Sequence, residues 1–300
     1  MAAFSATDVA FEGFRITRER PLDVLAWVAL FIVFQVVLLL AIGPAMGQLM
    51  SEFISQSQAG AQPSPERIMA AYARLGPAYA IVTPVSLIVQ TLVMCAIYRA
   101  VLRPQERGVA GMRLGGDELR VLAVSFAIGL LIAGGVFIAV LLIVAIAGGV
   151  GYAGGEIAGA LVGVLLGAAA LCAPIYVGTR LSLATPMTFA AKDFRVFESW
   201  RATKGRFWSL LGAYFLAFVM GLLVNILIGI VSAAAIAGTV FATGTPPASP
   251  GTFDPTFLTS PVTLVTVVFQ GIASAFFSVI LYAPPAAALR ALMTAGRTFD

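Results

Sequence analysis

Long apolar runs broken by short polar connections set the pattern of this chain. A helix needs about 20 mostly apolar residues to cross the hydrocarbon core of a bilayer, and six runs qualify. They are 22–46 (LDVLAWVALFIVFQVVLLLAIGPAM), 77–101 (PAYAIVTPVSLIVQTLVMCAIYRAV), about 119–147, about 158–179, 208–237 and 262–283. The pattern predicts an all-α integral membrane fold: six transmembrane helices arranged as three hairpins, with 1–300 forming a single membrane domain. Of the connections, 47–76 is polar, and PERIMAAYARLG within it predicts a short surface helix. Residues 150–157 read as a tight glycine-rich turn, and TGTPPASPGTFDPTFLTSP (243–261) as an irregular loop.

Inside the runs, polar positions are few and periodic. The fifth has small or polar residues at every fourth position, Ala213, Ala217, Gly221, Asn225 and Gly229. The sixth answers with Thr266, Gln270, Ser274, Ser278 and Tyr282, and the fourth carries Gly159, Gly163 and Gly167 as a double GxxxG. Such ridges let helix backbones approach closely and hydrogen-bond across the contact. Packing is therefore their expected role, and the glycine ridge also permits self-association. Gln35, Gln90, Asn225 and Gln270 place one amide each in runs one, two, five and six. Amides in lipid need partners, so these are expected to knit the bundle. The functional alternative, with Ser274 and Ser278, is a polar crevice that receives a lipid headgroup or a small solute. No Asp, Glu, Lys or Arg occupies the centre of a run. That argues against carboxylate-coupled transport, aspartyl intramembrane proteolysis and Ser-Lys chemistry.

Two decamers, FEGFRITRER (11–20) and FESWRATKGR (197–206), share Phe, Glu, Arg, Thr and Arg at identical places, and each precedes an apolar run. Around the second, Ala190, Phe194, Phe197 and Trp200 fall at helical spacing, with Lys192, Arg195, Ser199 and Arg201 largely off that stripe. Around the first, Phe4, Phe11 and Phe14 are set against Asp8, Glu12 and Arg15. Both predict amphipathic helices lying in the membrane interface before spans one and five, rings toward lipid and cations toward headgroup phosphates. The headgroup candidates are Arg15, Arg18, Arg20, Arg180, Arg195, Trp200, Arg201, Lys204 and Arg206. Pro21 and Gly205 suit a break before each span. The even-numbered spans also end in Tyr and then Arg: IYRAVLR (97–103), IYVGTR (175–180) and LYAPPAAALR (281–290). Duplication is the simplest account, with pseudo-repeats 1–104 and 187–300, hairpin 105–186 between them, and parallel repeats about an axis along the membrane normal; convergence on a generic aromatic-basic interface segment is the alternative.

Composition agrees: 60% of the 300 residues are hydrophobic and 11% charged, whereas soluble domains carry about 25% charged residues. Mean hydropathy is +0.99. Of the 18 Lys and Arg, 16 fall on one side of a six-span arrangement, leaving only Arg67 and Arg74 on the other. The positive-inside rule then places both termini in the cytoplasm, and Trp27, Trp200 and Trp208 lie near the same boundary. The opening MAAFSATDVAFEGF has no basic segment followed by an apolar core, so no cleaved signal peptide is expected. The chain contains no His, which excludes His-assisted nucleophiles, His-ligated zinc and His general bases. Cys95 and Cys172 each sit in an apolar run and suggest neither a disulfide nor a thiolate metal site. No cofactor or metal is expected. Nucleic acid is not an expected partner either, because GMRLGGDE lacks the Lys-Ser/Thr pair and βαβ context of a phosphate loop. The expected partners are anionic headgroups on the cytoplasmic side, a second copy, or another membrane protein.

The stretches RLSLATP (180–186) and SWRATKGRFWSLLG (199–212) carry a resemblance. They resemble an uncharacterised bacterial family of six-span proteins, similar to the membrane domain attached to some glycerophosphoryl diester phosphodiesterases. There an Arg-Leu-Ser-Leu-Ala-x-Pro run closes one span and a Ser-Trp-x-x-Thr-Lys/Arg-Gly segment precedes the next. The match covers about 173–215. The resemblance implies a six-span fold but brings over no substrate or catalytic residue, and the soluble phosphodiesterase domain has no counterpart here. The expectation is a non-enzymatic multipass protein of the bacterial inner membrane that organises membrane or lipid components. The alternative is a permease or lipid transporter using the crevice between spans one, two, five and six.

Overall fold

In the computed structural model, residues 5–58, 65–106, 109–244 and 259–296 are described. Proline and glycine punctuate the backbone near where the sequence predicts, but the turn expected over 150–157 narrows to Gly155, with helix on both sides. Helix α3 (Pro21–Gln58) begins on Pro21, whose missing N–H is one of the unpaired donors of a first turn anyway. Helices α5 (Gly116–Gly154) and α6 (Glu156–Leu181) are separated by Gly155 alone, at φ 92°. A side chain would strain that left-handed turn. With α4 (Pro65–Leu102), α9 (Phe207–Thr243) and α10 (Pro261–Gly296), these are six helices long and apolar enough to cross a membrane. The protein is a multipass membrane protein, and the described residues contain no strand.

Most of these helices outrun the spans expected of them. At 1.5 Å per residue, the 38 residues of α3 and of α4 extend about 57 Å, well beyond a hydrocarbon core of about 30 Å. PERIMAAYARLG is consequently not a separate surface helix but the opening turns of α4. Pro77 and Pro84 lie inside α4 without ending it, as transmembrane helices tolerate. An Arg74–Glu52 ion pair at 2.5 Å joins α4 to α3 at this end. Most of the expected 243–261 loop, and Phe4, lie outside the described residues.

Helix α10 is the axis of the bundle and packs on α9, α3 and α4. Small residues set the approach. A Cβ on Gly271 would stand 3.0 Å from the Ile32 backbone nitrogen of α3, and one on Gly221 3.3 Å from Phe277. Ala213, Ala217 and Gly221 are buried, so that ridge of α9 is an interior seam. The glycine ridge of α6 turns onto α5. A Cβ on Gly159 would lie 2.7 Å from the Ala147 oxygen and the Gly151 Cα, one on Gly163 3.4 Å from Ala147 Cβ, and one on Gly167 near nothing within 4 Å. The α5–α6 pair otherwise stands away from the bundle, and none of the residues in its most apolar windows is buried.

Four short helices lie at the basic end: α1 (Ala6–Ala10), α2 (Glu12–Glu19), α7 (Ala184–Ala191) and α8 (Val196–Ala202). They differ from the expected amphipathic segments in two ways. The lead-in to α9 is not one helix, because Lys192 adopts φ 58° between α7 and α8. Side chains take up the amides that the break frees: Phe194 N–H donates to Asp193 Oδ1 (2.8 Å) and Arg195 N–H to Thr188 Oγ1 (3.3 Å). The first decamer also turns its polar edge inward. Glu12 is only 4% exposed, Gly13 would put a Cβ 2.9 Å from Ile280 Cα, and Phe11 is left exposed. Phe14 is half-buried against Ala10, Ala217 and Ile280, so Phe11 is the ring that faces outward, where next to lipid aromatic exposure costs little.

Candidate functional site

The basic end is built around buried ions that the sequence does not advertise. Arg99 in the last turn of α4 is 3% exposed and Glu118 in the first turn of α5 is 6% exposed. Arg99 Nη2 donates to Glu118 Oε1 at 2.5 Å, and its Nη1 to the Gly111 carbonyl. Arg103 donates to the Phe189 and Ala190 carbonyls at 2.9 and 3.2 Å, capping the orphan acceptors that end α7. Both guanidinium groups lie over the Phe189 ring, at 5.4 and 4.8 Å. The turn between α4 and α5 is fixed from α3 by Trp27, fully buried, whose Nε1–H donates to the Ala110 carbonyl at 2.9 Å. Two of the cations expected to set topology thus act as packing groups. The hint available was Asp117-Glu118 in the otherwise basic connection GMRLGGDELR.

Arg180, at the end of α6, sits differently. Its guanidinium carbon lies 5.4 Å from the Tyr176 ring centre, 5.5 Å from Trp200 and 5.9 Å from Phe207. Nε and Nη1 are buried without a hydrogen-bond partner, and among the described residues no carboxylate pairs with this side chain. Helix α8 is anchored over it. Ser199 Oγ donates to the Arg180 carbonyl at 2.8 Å, and Thr203 Oγ1 reaches the same oxygen at 3.4 Å. Ring faces offer the cation part of what a carboxylate would, each about 0.5–2 kcal/mol.

Beside this cage a groove of ≈ 730 Å³ runs between α5 and α6, lined by Ala127, Gly135, Ala139, Ala173 and Val177, with Phe197 and Trp200 of α8 at the basic end. Its wall is almost wholly apolar. A second cavity, ≈ 650 Å³, lies between α3 and α10 and is lined by Gln35, Gln270, Thr263, Thr266 and Tyr79.

The four expected amides separate accordingly. Gln35 and Gln270 come together in the second cavity. Gln90 is on an exposed face of α4, and Asn225 donates to its own helix at Gly221 O (3.1 Å). The four-helix crevice therefore contracts to two helices and the edge of a third. Ser278 donates to the Ser274 carbonyl at 2.7 Å and does not line the cavity. Among the headgroup candidates, Arg15 pairs with Glu12 (2.6 Å), Arg20 with Asp23 (3.7 Å) and Arg195 with Glu198 (2.8 Å). Arg18, Arg201, Lys204 and Arg206 are exposed and make no ion pair among the described residues. Cys95 is buried and Cys172 exposed, both free. The described residues contain no group of three or more metal-ligating side chains. Comparison of the chain with protein-family models, with curated proteins and with solved structures finds no match.

Proposed function

We propose that this is a non-enzymatic multipass protein of the bacterial inner membrane, in the mould of the six-span family it resembles, with both termini in the cytoplasm. In this reading its spans form three hairpins, and its short helices gather anionic lipid at the inner leaflet. The carrying observation is the pairing of unneutralised cations with exposed rings on one end of the molecule. Arg201, Lys204 and Arg206 sit beside Phe197, Trp200 and Trp208, which are 85%, 40% and 77% exposed. Rings of this kind belong at the headgroup level, and each nearby cation favours an anionic surface by about 1 kcal/mol. The duplication plan draws support from the decamers, whose shared threonines make the same bond: Thr17 Oγ1 to Gly13 O and Thr203 Oγ1 to Ser199 O, both at 3.0 Å. The test is lipid enrichment. Protein reconstituted in nanodiscs of mixed zwitterionic and anionic lipid should concentrate the anionic species around it, and replacing Arg15, Arg18, Arg201 and Lys204 by Gln should lower that enrichment several-fold. Unchanged enrichment would reject the reading, as would labelling of the Lys192–Arg206 segment by an impermeant reagent added outside sealed cells.

A second reading, a permease or lipid transporter, is favoured by the cavity that Gln35 and Gln270 share. Neither amide has a hydrogen-bond partner among the described residues, which leaves both available to a solute. Replacing both by Leu should abolish flux in proteoliposomes if this cavity carries transport. Flux that survives the double replacement would dispose of it.

A further inference from the structure

We infer that the groove between α5, α6 and α8 is a site for one anionic phospholipid, its acyl chain along the groove and its phosphate on Arg180. The inference rests on the lipid-associated reading above and names where such a lipid binds.

Three observations converge. The first is an unmet charge. Where α2 meets the last helix, Glu12 receives Arg290 at 3.0 Å. Where α8 meets the last turn of α6, the corresponding carboxylate, Glu198, is turned away to Arg195 at 2.8 Å. The nearby Asp193 accepts the Phe194 amide instead. Arg290 lies four residues further from its tyrosine than Arg180 does, about one turn, yet the contrast holds. One copy of the decamer brings an anion to the arginine that closes a span, and the other leaves that position vacant. Three aromatic rings stand around the Arg180 guanidinium, and its buried Nε and Nη1 have no hydrogen-bond partner.

The second is the groove itself. Its ≈ 730 Å³ falls within the roughly 300–1,000 Å³ of ordinary ligand sites. From Ala127 to Ala139 it follows α5 for about 18 Å at 1.5 Å per residue. Aliphatic side chains with Gly135, Phe197 and Trp200 line it, a surface that fits a chain and offers little to a polar solute. The third is continuity between the two. Trp200 both lines the groove and faces Arg180, while Val177 and Leu181, on either side of Arg180, are lining residues as well. A phosphate at the arginine and a hydrocarbon tail in the groove are therefore one molecule's length apart. Free phosphate would use only the first half of this site.

Trp200 supplies the probe. In a Trp208→Phe protein, fluorescence comes from Trp200 and the buried Trp27, and a Trp200→Phe/Trp208→Phe protein gives the background. Reconstituted vesicles would contain phosphatidylglycerol or phosphatidylcholine brominated on the acyl chain, at equal mole fraction. Brominated phosphatidylglycerol should quench Trp200 with a preference of about fivefold, the equivalent of one cation at an anionic headgroup, and Arg180→Gln should remove that preference. Gly135→Leu should lower quenching by both lipids to the level that bulk lipid gives the exposed edge of Trp200. A Cβ at Gly135 meets nothing within 4 Å, so this variant fills the groove without displacing backbone. Inorganic phosphate should not relieve the quenching. Equal quenching by the two lipids, a preference that survives Arg180→Gln, or no effect of Gly135→Leu would each overturn the site. If these fail while anionic lipid still enriches around the protein, the site alone is wrong. If enrichment fails too, the lipid-associated reading falls with it.

Discussion

Replacing Arg99 by Met while keeping Glu118 would strand a carboxylate in the interior, and the size of the effect follows from the geometry. The two side chains are 4% and 7% exposed and meet at 2.5 Å. Glu106, the other acid near Arg99, lies 3.5 Å from Nε and is 38% exposed, so water already screens it. Breaking one side of a buried pair leaves an uncompensated charge and costs about 3–5 kcal/mol. The half-buried Gly111 carbonyl also loses its donor, and a hydrogen bond from a charged group contributes about 1.5–3 kcal/mol. Removing both charges together, with Arg99→Met and Glu118→Leu, abolishes the ionic penalty and leaves only the carbonyl. The double variant should therefore be more stable than Arg99→Met by at least about 2 kcal/mol. Equilibrium unfolding in mixed micelles with rising SDS, followed by tryptophan fluorescence, measures all corners of the cycle. If Arg99→Met costs less than about 1 kcal/mol, or the double variant loses the sum of the singles, the pair is not a coupled interior ion pair and the reasoning fails.

Other outcomes follow from close contacts. Gly159→Leu should split α5 from α6, because its Cβ would stand 2.7 Å from the Ala147 oxygen. Gly167→Ala, with nothing within 4 Å, should be neutral or stabilising by about 0.5–1 kcal/mol, and interhelix cysteine crosslinking separates the two results. Gly271→Val should destabilise the α3–α10 contact by about 1–3 kcal/mol through overpacking, seen in the same SDS titration. Trp27→Phe should cost about 1–3 kcal/mol by leaving the Ala110 carbonyl without a donor and should speed hydrogen exchange in the turn from 109 to 115. If exchange there is unchanged, Trp27 does not hold the turn.

The parts of this architecture that are local in sequence are legible in it. Apolar runs, Pro21, Gly155 and Gly205 mark where helices start and stop, because hydropathy and backbone permissiveness act at the residue itself. The pairings are another matter. Arg99 and Glu118 are 19 residues apart, and nothing in composition separates a cation that sets topology from one that a nearby acid buries. The inward face of α2 is misread for a related reason. Glu12 stands with Asp8 and Arg15 on the side expected to face headgroups, yet it is buried and pairs with Arg290 of α10 as well as with Arg15, a partner that no local pattern reveals. The break at Lys192 carries no glycine or proline, and its stability comes from Thr188 and Asp193, whose capping roles appear only in three dimensions. Of the amides, Gln35 and Gln270 share one cavity, whereas Gln90 and Asn225 fall on other faces that periodicity alone does not assign.

The ion bridge from Glu12 to Arg290 has a consequence for biogenesis. Helices α1 and α2 are synthesised before α9 and α10, on which they rest. At about 5–20 residues per second, the roughly 280 residues from Glu12 to Arg290 take on the order of 15–55 s to synthesise. Throughout that interval the glutamate has only its neighbour Arg15 for company, and the groove meant for α2 does not yet exist. Synthesis of α10 is then the event that shelters α2, so a nascent chain arrested before α10 would display an undocked α2 to the proteases that patrol the membrane.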